Sequence, residues 1–291
     1  MAPKVSVVIP TRNRAALLRK CLASVSRQTF RDYEVVVVTD ASSDETGSVI
    51  RAAGLPRLKS VVLKVPSGAP FARAAGLARC SGSYVAFLDD DDEWSPGKLE
   101  RQLAVMGGTN SSASYTDFDV IGSRGEILYG RCLTSRAPSS PDRPPELRKL
   151  IDLYRRGHVR GWPTALFSSV VLRRDALRAV GGLDLRFTRL HDDTDLWLRI
   201  YRDYGPDRVD FIAESLVAYR FHPGQISVPT RRTPDVGRER MRSLFDVRVD
   251  NTLFLGKVDG HDYCGKREHV CRRVRRGRFT IIPRAPMRSS S

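Results

Sequence analysis

Four carboxylates stand in a row at Asp89, Asp90, Asp91 and Asp92. Like charges at that spacing repel, and each one held ionised beside the others costs stability. A bound divalent cation would remove that cost, and Mg²⁺ or Mn²⁺ takes its oxygens from carboxylates and phosphates. The alternative is a solvated acidic loop. Placement argues against it. The run directly follows the apolar stretch Tyr84–Leu88, and open α/β sheets place ligands beyond the carboxyl ends of their strands. Three more polar clusters follow apolar runs in the same manner, at 10–14, 39–44 and 66–68.

The apolar runs are the elements that must position these clusters. Val5–Ile9 and Tyr33–Val38 suit strands buried on both faces. Leu58–Val65 and Tyr84–Leu88 read as two more strands. Helices are expected between them. One is capped by Asn13 and carries Leu17, Leu18, Cys21, Leu22 and Val25 on one face. A second is opened by the capping-box spacing of Ser42-Ser43-Asp44-Glu45 and runs to about Ala53. A third, rich in alanine, covers 69–80. After the acidic run, Ser95 and Pro96 are the expected cap and first helical residue of a fourth. Strands alternating with helices predict a parallel sheet covered on both faces, with right-handed crossovers. All four polar clusters then gather on one edge of that sheet.

The middle of the chain changes style. Ser114–Val120 and Glu126–Tyr129 are expected strands about a Gly122–Gly125 turn. Residues 131–145 read as a long loop, 146–156 as a helix and Ala165–Leu172 as a strand. Arg174–Val180 is a short helix stopped by Gly181-Gly182. A further helix with Leu196, Trp197, Ile200 and Tyr204 follows the acidic stretch 192–195. Val209–Ala213 and Leu216–Phe221 are the last expected strands. After position 230 there are 16 Lys and Arg against 7 Asp and Glu, which makes this segment the most basic part of the chain.

The overall composition, 41% hydrophobic and 28% charged over 291 residues, is that of an ordinary globular protein, but the net charge of +16 is not ordinary. Most of the positive charge is arginine. Such basicity suits nucleic acid, an anionic membrane surface or phosphorylated small molecules. A GC-rich coding sequence yields the same arginine excess. Five scattered cysteines, none at metal-ligand spacing, read as reduced thiols in a cytoplasmic protein. The run Val5–Ile9 is too short for a secretory leader, and no apolar stretch approaches the ~18 residues of a membrane span.

Taken in order, the clusters resemble the family 2 glycosyltransferases. Val5 to Arg14 is similar to the family's opening strand, and Val38 to Asp44 to its second motif, with Thr39 and Ala41 as departures. Ala72-Arg73-Ala74-Ala75-Gly76 resembles its Ala-Arg-Asn-x-Gly helix, with Ala74 in place of Asn. Phe87 to Asp92 resembles the metal-binding Asp-x-Asp element. Gly181 to Asp184 followed by Asp192 to Arg199 resembles the acceptor-side motif, and Tyr219 to His222 the closing strand. The likeness covers residues 4–228. It implies a GT-A fold, a Rossmann-like and mostly parallel α/β sheet with helices on both faces. It divides 1–228 into a nucleotide-binding half, 1–110, and an acceptor-binding half, 111–228. A basic extension, 229–291, is expected to be partly helical through Met241–Phe254, with a disordered end.

The resemblance also implies roles. The reaction is an inverting transfer of one sugar from a UDP- or dTDP-type nucleotide-diphosphate sugar to a hydroxyl of a glycan or small-molecule acceptor, with Mn²⁺ or Mg²⁺ as cofactor. Asp91 is the first choice for direct metal ligation. Asp89 and Asp90 reach metal, water or ribose, and Asp92 stays open. Pro10 and Thr11 line the base and ribose pocket, Asp40 accepts from the pyrimidine ring N–H, and Arg14 and Arg73 complete the donor site. Asp193 is the general base, which removes the acceptor proton as the new bond forms. Its alternative is helix capping, shared with Asp192. Asp192 is placed on the acceptor side; Trp162 joins it on a different ground, since sugar rings stack on aromatic faces and Gly161-Trp162-Pro163 precedes an expected strand. His222 is a further metal ligand or a phosphate contact, or else structural. Trp197 is read as packing.

Three other classes fit the sequence less well. A nucleotidyltransferase can share the fold but wants a glycine-rich loop after the first strand, and residues 10–14 hold no glycine. A dehydrogenase fails on the same ground. A nucleic-acid-binding protein fits the charge, yet leaves the four aspartates unexplained and lacks an aromatic-rich basic face. No nucleic-acid partner is therefore expected. Peripheral membrane contact through the basic surface and the oligomeric state stay open.

Overall fold

The computed structural model describes residues 2–135, 147, 151, 154, 165–185, 192–222 and 225, together with the backbone of short segments between 248 and 283. One mixed sheet organises the first 220 residues. Its strands are β1 (Val5–Thr11), β2 (Tyr33–Asp40), β3 (Leu58–Leu63), β4 (Tyr84–Phe87), β5 (Glu93–Trp94), β6 (Ala113–Ile121), β7 (Ile127–Tyr129), β8 (Val170–Arg173) and β9 (Val209–Arg220). The order across the sheet is β3-β2-β1-β4-β8-β6-β9-β5, with β7 on β6. β3, β2, β1 and β4 are parallel, as the alternation predicts. β8 runs antiparallel to β4 and β6 and so joins the two halves into one sheet.

Every residue of β1 and β2 is buried, because α1 (Ala15–Ser26), α2 (Thr46–Ala52) and α3 (Ala69–Leu77) cover the two faces. α3 lies very close to the sheet. A Cβ on Gly76 would fall 2.5 Å from Val8 Cγ1 and 3.1 Å from Val38 Cγ2, so glycine is what allows the helix to seat there. α4 (Lys98–Thr109), α5 (Arg174–Ala179) and α6 (Asp192–Tyr204) complete the described helices.

Several local expectations change. Asn13 does not cap α1. It has a left-handed backbone (φ 50°), and its side chain accepts the Ser43 N–H at 2.8 Å. The first N–H of α1, on Ala15, is instead taken by Asp44 at 3.0 Å. Asp44 also accepts the N–H of Thr46, the first residue of α2, at 3.1 Å. One carboxylate thus serves two helix starts, which a search along the sequence for local caps would miss. Ser95 and Pro96 do not open α4. Glu93–Trp94 pairs with β9 as an edge strand, Ser95 donates its N–H to Leu216, and the helix begins at Lys98. The two last expected strands are one, β9, whose register against β6 shifts at Asp117. The Ala165–Leu172 segment opens with a 3₁₀ turn at Phe167–Ser169 before β8.

In the basic extension, the described segments of 241–254 are strands where a helix was expected. β10 (Arg248–Asp250), β11 (Leu253–Val258) and β12 (His261–Tyr263) form an antiparallel set, and β13 (His269–Arg275) pairs with β14 (Arg278–Pro283). The sequence accounts for it in part: Val247, Val249 and Thr252 are β-branched and favour strand over helix. Trp162, most of the 131–145 loop and most of the helix expected over 146–156 lie outside the described residues.

Candidate functional site

The carboxyl ends of β1, β2 and β4, the start of α3 and the start of α6 enclose one cleft of about 390 Å³. Pro10, Thr11, Arg12, Arg14, Asp40, Arg73, Asp89, Asp90, Asp91, Asp192 and Asp193 all line it. The convergence expected from strand-end placement is therefore what the fold delivers.

Each acidic residue of the run has a separate setting. Asp92 points into the core and is 1% exposed. Ser168 Oγ donates to it at 2.6 Å and the Arg220 N–H at 2.9 Å. Asp92 is thus not among the residues that line the cleft. Burial pushes its pKa well up, with Asp91 and Asp89 adding to the rise. Asp90 is buried too. It accepts from Thr11 Oγ1 at 2.7 Å and from Arg14 at 3.0 Å. Burial and the neighbouring Asp91 still raise its pKa to about 7. Asp91 is equally desolvated, yet its pKa is lowered, by the hydrogen bond from His222 and by Arg14. Arg14 Nη1 lies 2.7 Å and His222 Nε2 3.1 Å from the same Asp91 oxygen, Oδ2. Asp89, at the mouth, pairs with Arg73 at 2.6 Å.

The repulsion within the run is thus relieved largely by arginines. Arg73 is buried, lies 4.4 Å from the Phe167 ring centroid and joins Asp89 to Asp192. Its Nε has no hydrogen-bond partner among the described residues. Asp192 lines the cleft but is committed to Arg73, and burial raises its pKa to about 6 against the pull of that arginine. Asp193 is different. Its Oδ1 accepts the Thr194 N–H at 2.7 Å, while its Oδ2 takes no hydrogen bond among the described residues. Asp195 is held by Arg199, which also donates to the carbonyls of Val180 and Gly182, and so ties α6 to the end of α5.

Among the described residues, no group of three or more acidic, histidine or cysteine side chains converges on one point as a metal cage. Asp91 and His222 are the donor pair that does form. Mg²⁺ commonly takes one or two protein carboxylates and completes its shell with substrate phosphates and water. The pair fits such an ion once a diphosphate lies beside it.

Residues 6–178 match the family described as "Glycosyl transferase family 2". The chain belongs to that family. Among its relatives, the putative teichuronic acid biosynthesis glycosyltransferase TuaG of Bacillus subtilis is 35% identical over 128 residues, which are 43% of this chain and 51% of that protein. The UDP-Glc:alpha-D-GlcNAc-diphosphoundecaprenol beta-1,3-glucosyltransferase WfgD of Escherichia coli is 34% identical over 117 residues, covering 40% of this chain and 46% of that one. The chain spans about half the length of these two relatives. The structure of S. aureus TarS 1-349 in complex with UDP-GlcNAc superposes with a TM-score of 0.60 at 21% identity, covering 82% of this chain and 65% of that chain. That likeness shows the shared GT-A fold.

In this family 2 chain the structure gathers every sequence-predicted site residue except Trp162, which is outside the described residues. Asp40 lines the cleft, but its two oxygens already accept the N–H groups of Ser67 and Gly68 at 2.7 and 2.9 Å, so it also fixes the turn into α3. Trp197 is packing, as expected: it is buried, with its indole N–H on the Ala165 carbonyl. Sequence reasoning missed Phe167, Ser168 and Arg220. Phe167 and Ser168 lie in a plain apolar stretch with no pattern to mark them. Arg220 left a signal, a lone arginine closing an apolar strand. It is 1% exposed and donates to the carbonyls of Asp91, Gly122 and Ser123 and to Glu93.

Proposed function

We propose that the chain transfers one sugar, with inversion, from a UDP-sugar to a hydroxyl group of a sugar-bearing acceptor. The observation that carries the reading is the cleft itself. A nucleotide-sized hollow at the strand ends has cations and the Asp91–His222 pair on one side, and a carboxylate with an unused oxygen, Asp193, on the other.

Pro10, Thr11 and Asp40 lie where the base and ribose would rest. Arg12 and Arg14 face the place of the diphosphate. Asp91 and His222 would hold Mn²⁺ or Mg²⁺, which when bound neutralises charge on the departing diphosphate. The acceptor hydroxyl attacks the anomeric carbon from the face opposite the leaving group. Asp193 accepts the hydroxyl proton through Oδ2 as the carbon–oxygen bond forms. Asp192 is poorly suited to that task, because its charge is committed to Arg73. The Arg73 bridge instead fixes α6 against the donor wall, and so sets where Asp193 stands.

The UDP preference rests on WfgD, whose name specifies UDP-Glc, and on the UDP-GlcNAc complex of TarS. The acceptor class rests on the same kind of support: WfgD and a Campylobacter jejuni relative, 41% identical over 100 residues, are both named for sugars carried on diphosphoundecaprenol. A thermal-shift and calorimetric comparison of UDP, ADP and CDP with Mn²⁺ tests the donor half. UDP should bind, and more tightly than uridine. A chain that binds none of these nucleotides, but binds DNA or RNA tightly at physiological salt, would refute the reading.

A further inference from the structure

We propose that Arg14 is an internal counter-cation that keeps the Asp91 site weak for a divalent metal until a diphosphate arrives. This rests on the nucleotide-sugar reading above and adds an order to it: metal and diphosphate bind together, each tightening the other.

The geometry is specific. Arg14 Nη1 sits 2.7 Å from Asp91 Oδ2 and 3.0 Å from Asp90 Oδ1. His222 Nε2 shares that same Asp91 oxygen at 3.1 Å. A Mg²⁺ or Mn²⁺ on this oxygen would lie at roughly 2.1 Å from it. The guanidinium would then share one carboxylate oxygen with a dication, and two cations so placed repel. A metal on Oδ2 therefore requires Arg14 to leave that oxygen. A diphosphate makes that exchange favourable, because its oxygens match the guanidinium fork.

The backbone at Arg14 is anchored independently of its side chain. Arg14 is the residue just before α1, and the first N–H of that helix is fixed by Asp44. The side chain is only partly covered, at 23% exposure. Arg73 is more enclosed, at 9% side-chain exposure between Asp89 and Asp192. Arg12 provides a contrast. It lines the same cleft, is exposed, and makes no hydrogen bond or ion pair among the described residues.

The test is Mn²⁺ binding to the full chain, measured by the loss of the free-ion paramagnetic resonance signal, with and without UDP. Arg14→Ala should bind Mn²⁺ without UDP about tenfold more tightly than wild type, since one competing charge leaves the ligand oxygen. The gain in Mn²⁺ affinity on adding UDP should shrink by a similar factor, and linkage requires UDP to gain correspondingly less from Mn²⁺. Arg14→Gln, which keeps side-chain bulk, should behave alike. Arg12→Ala removes the same charge from the same cleft without touching Asp91, and in the absence of UDP should change Mn²⁺ affinity by less than about threefold. Equal or weaker Mn²⁺ binding by both Arg14 variants overturns the proposal. So does Arg12→Ala tightening Mn²⁺ as much as Arg14→Ala, which would indicate a general field. If wild type with bound UDP takes up no Mn²⁺, this proposal and the metal assignment fall together, while the nucleotide reading stands. If wild type binds no UDP at all, the functional reading itself fails.

Discussion

Arg73 and Asp192 stand 119 positions apart in the chain and meet at 2.8 Å in a buried ion pair. The contact joins α3, which packs on β1 and β2, to the first turn of α6, where Asp193 lies. Removing one partner of a buried pair leaves the other charge without compensation, at a cost of about 3–5 kcal/mol. Arg73→Ala strands two carboxylates, Asp89 and Asp192, and should lose about that much unfolding free energy in urea titration. Asp192→Asn keeps a hydrogen-bond acceptor and leaves Arg73 on Asp89, so it should lose clearly less. Equal losses would show that the bridge is not what ties the two walls together.

Glu34 provides a pH-dependent element far from the cleft. It is buried on β2 and accepts from Ser6 Oγ, from the Ser81 N–H and hydroxyl, and from Lys59 at 2.6 Å. Burial alone would raise its pKa, but Lys59, Ser6 and Ser81 together hold it down, from 4.5 to about 2. A carboxyl lowered by folding stabilises the native state above its unfolded pKa, and that contribution fades as pH falls through the folded value. Glu34→Gln should therefore be less stable than wild type at pH 7, by about 2–3 kcal/mol. The gap should close between about pH 4.5 and 2. A gap that persists unchanged at pH 2 would contradict this.

Ser168 holds both ends of the acidic run. Its hydroxyl donates to Asp92 at 2.6 Å and accepts the Asp89 N–H at 3.1 Å. Ser168→Ala leaves two buried polar groups short of a partner, and about 1–3 kcal/mol of stability should go with them. Because the run's backbone is then less well fixed, UDP affinity in the presence of Mn²⁺ should fall more than uridine affinity. A uniform loss for both ligands would place the effect elsewhere.

Gly76→Ala sets a new methyl 2.5 Å from Val8 Cγ1. Overpacking of this kind costs about 1–3 kcal/mol. The helix must also back away from β1, which carries Arg73 with it. Melting temperature and UDP affinity should both drop; an unchanged melting temperature would mean that α3 has slack on the sheet.

Much of this site was legible in the sequence because strand ends in a parallel sheet collect whatever follows them. Asp40, Asp89 to Asp91 and residues 10–14 needed only that rule. The cleft's far wall was legible through the acceptor-side motif, which carried Asp192 and Asp193. What stayed hidden depends on partners distant in sequence. Asp44 caps two helix starts only because β1 and β2 are neighbours. Asp92 turns inward because Ser168 and Arg220, 76 and 128 positions away, offer it hydrogen bonds. The division of the aspartates into histidine-paired, arginine-paired and core-facing members is a tertiary fact, and no local pattern encodes it. The helix expected over 241–254 shows the reverse error: the β-branched Val247, Val249 and Thr252 favour the strands that form there.

The general-base role of Asp193 is the claim on which the account turns. The direct measurement is turnover of a UDP-sugar by Asp193→Asn beside wild type, with UDP affinity determined on both proteins. The substitution keeps shape and hydrogen-bonding capacity but cannot take up the acceptor proton. UDP affinity should stay within about twofold, while turnover falls by about 10²–10⁴. Turnover close to wild type, with UDP bound normally, would contradict the assignment and place the base on another residue.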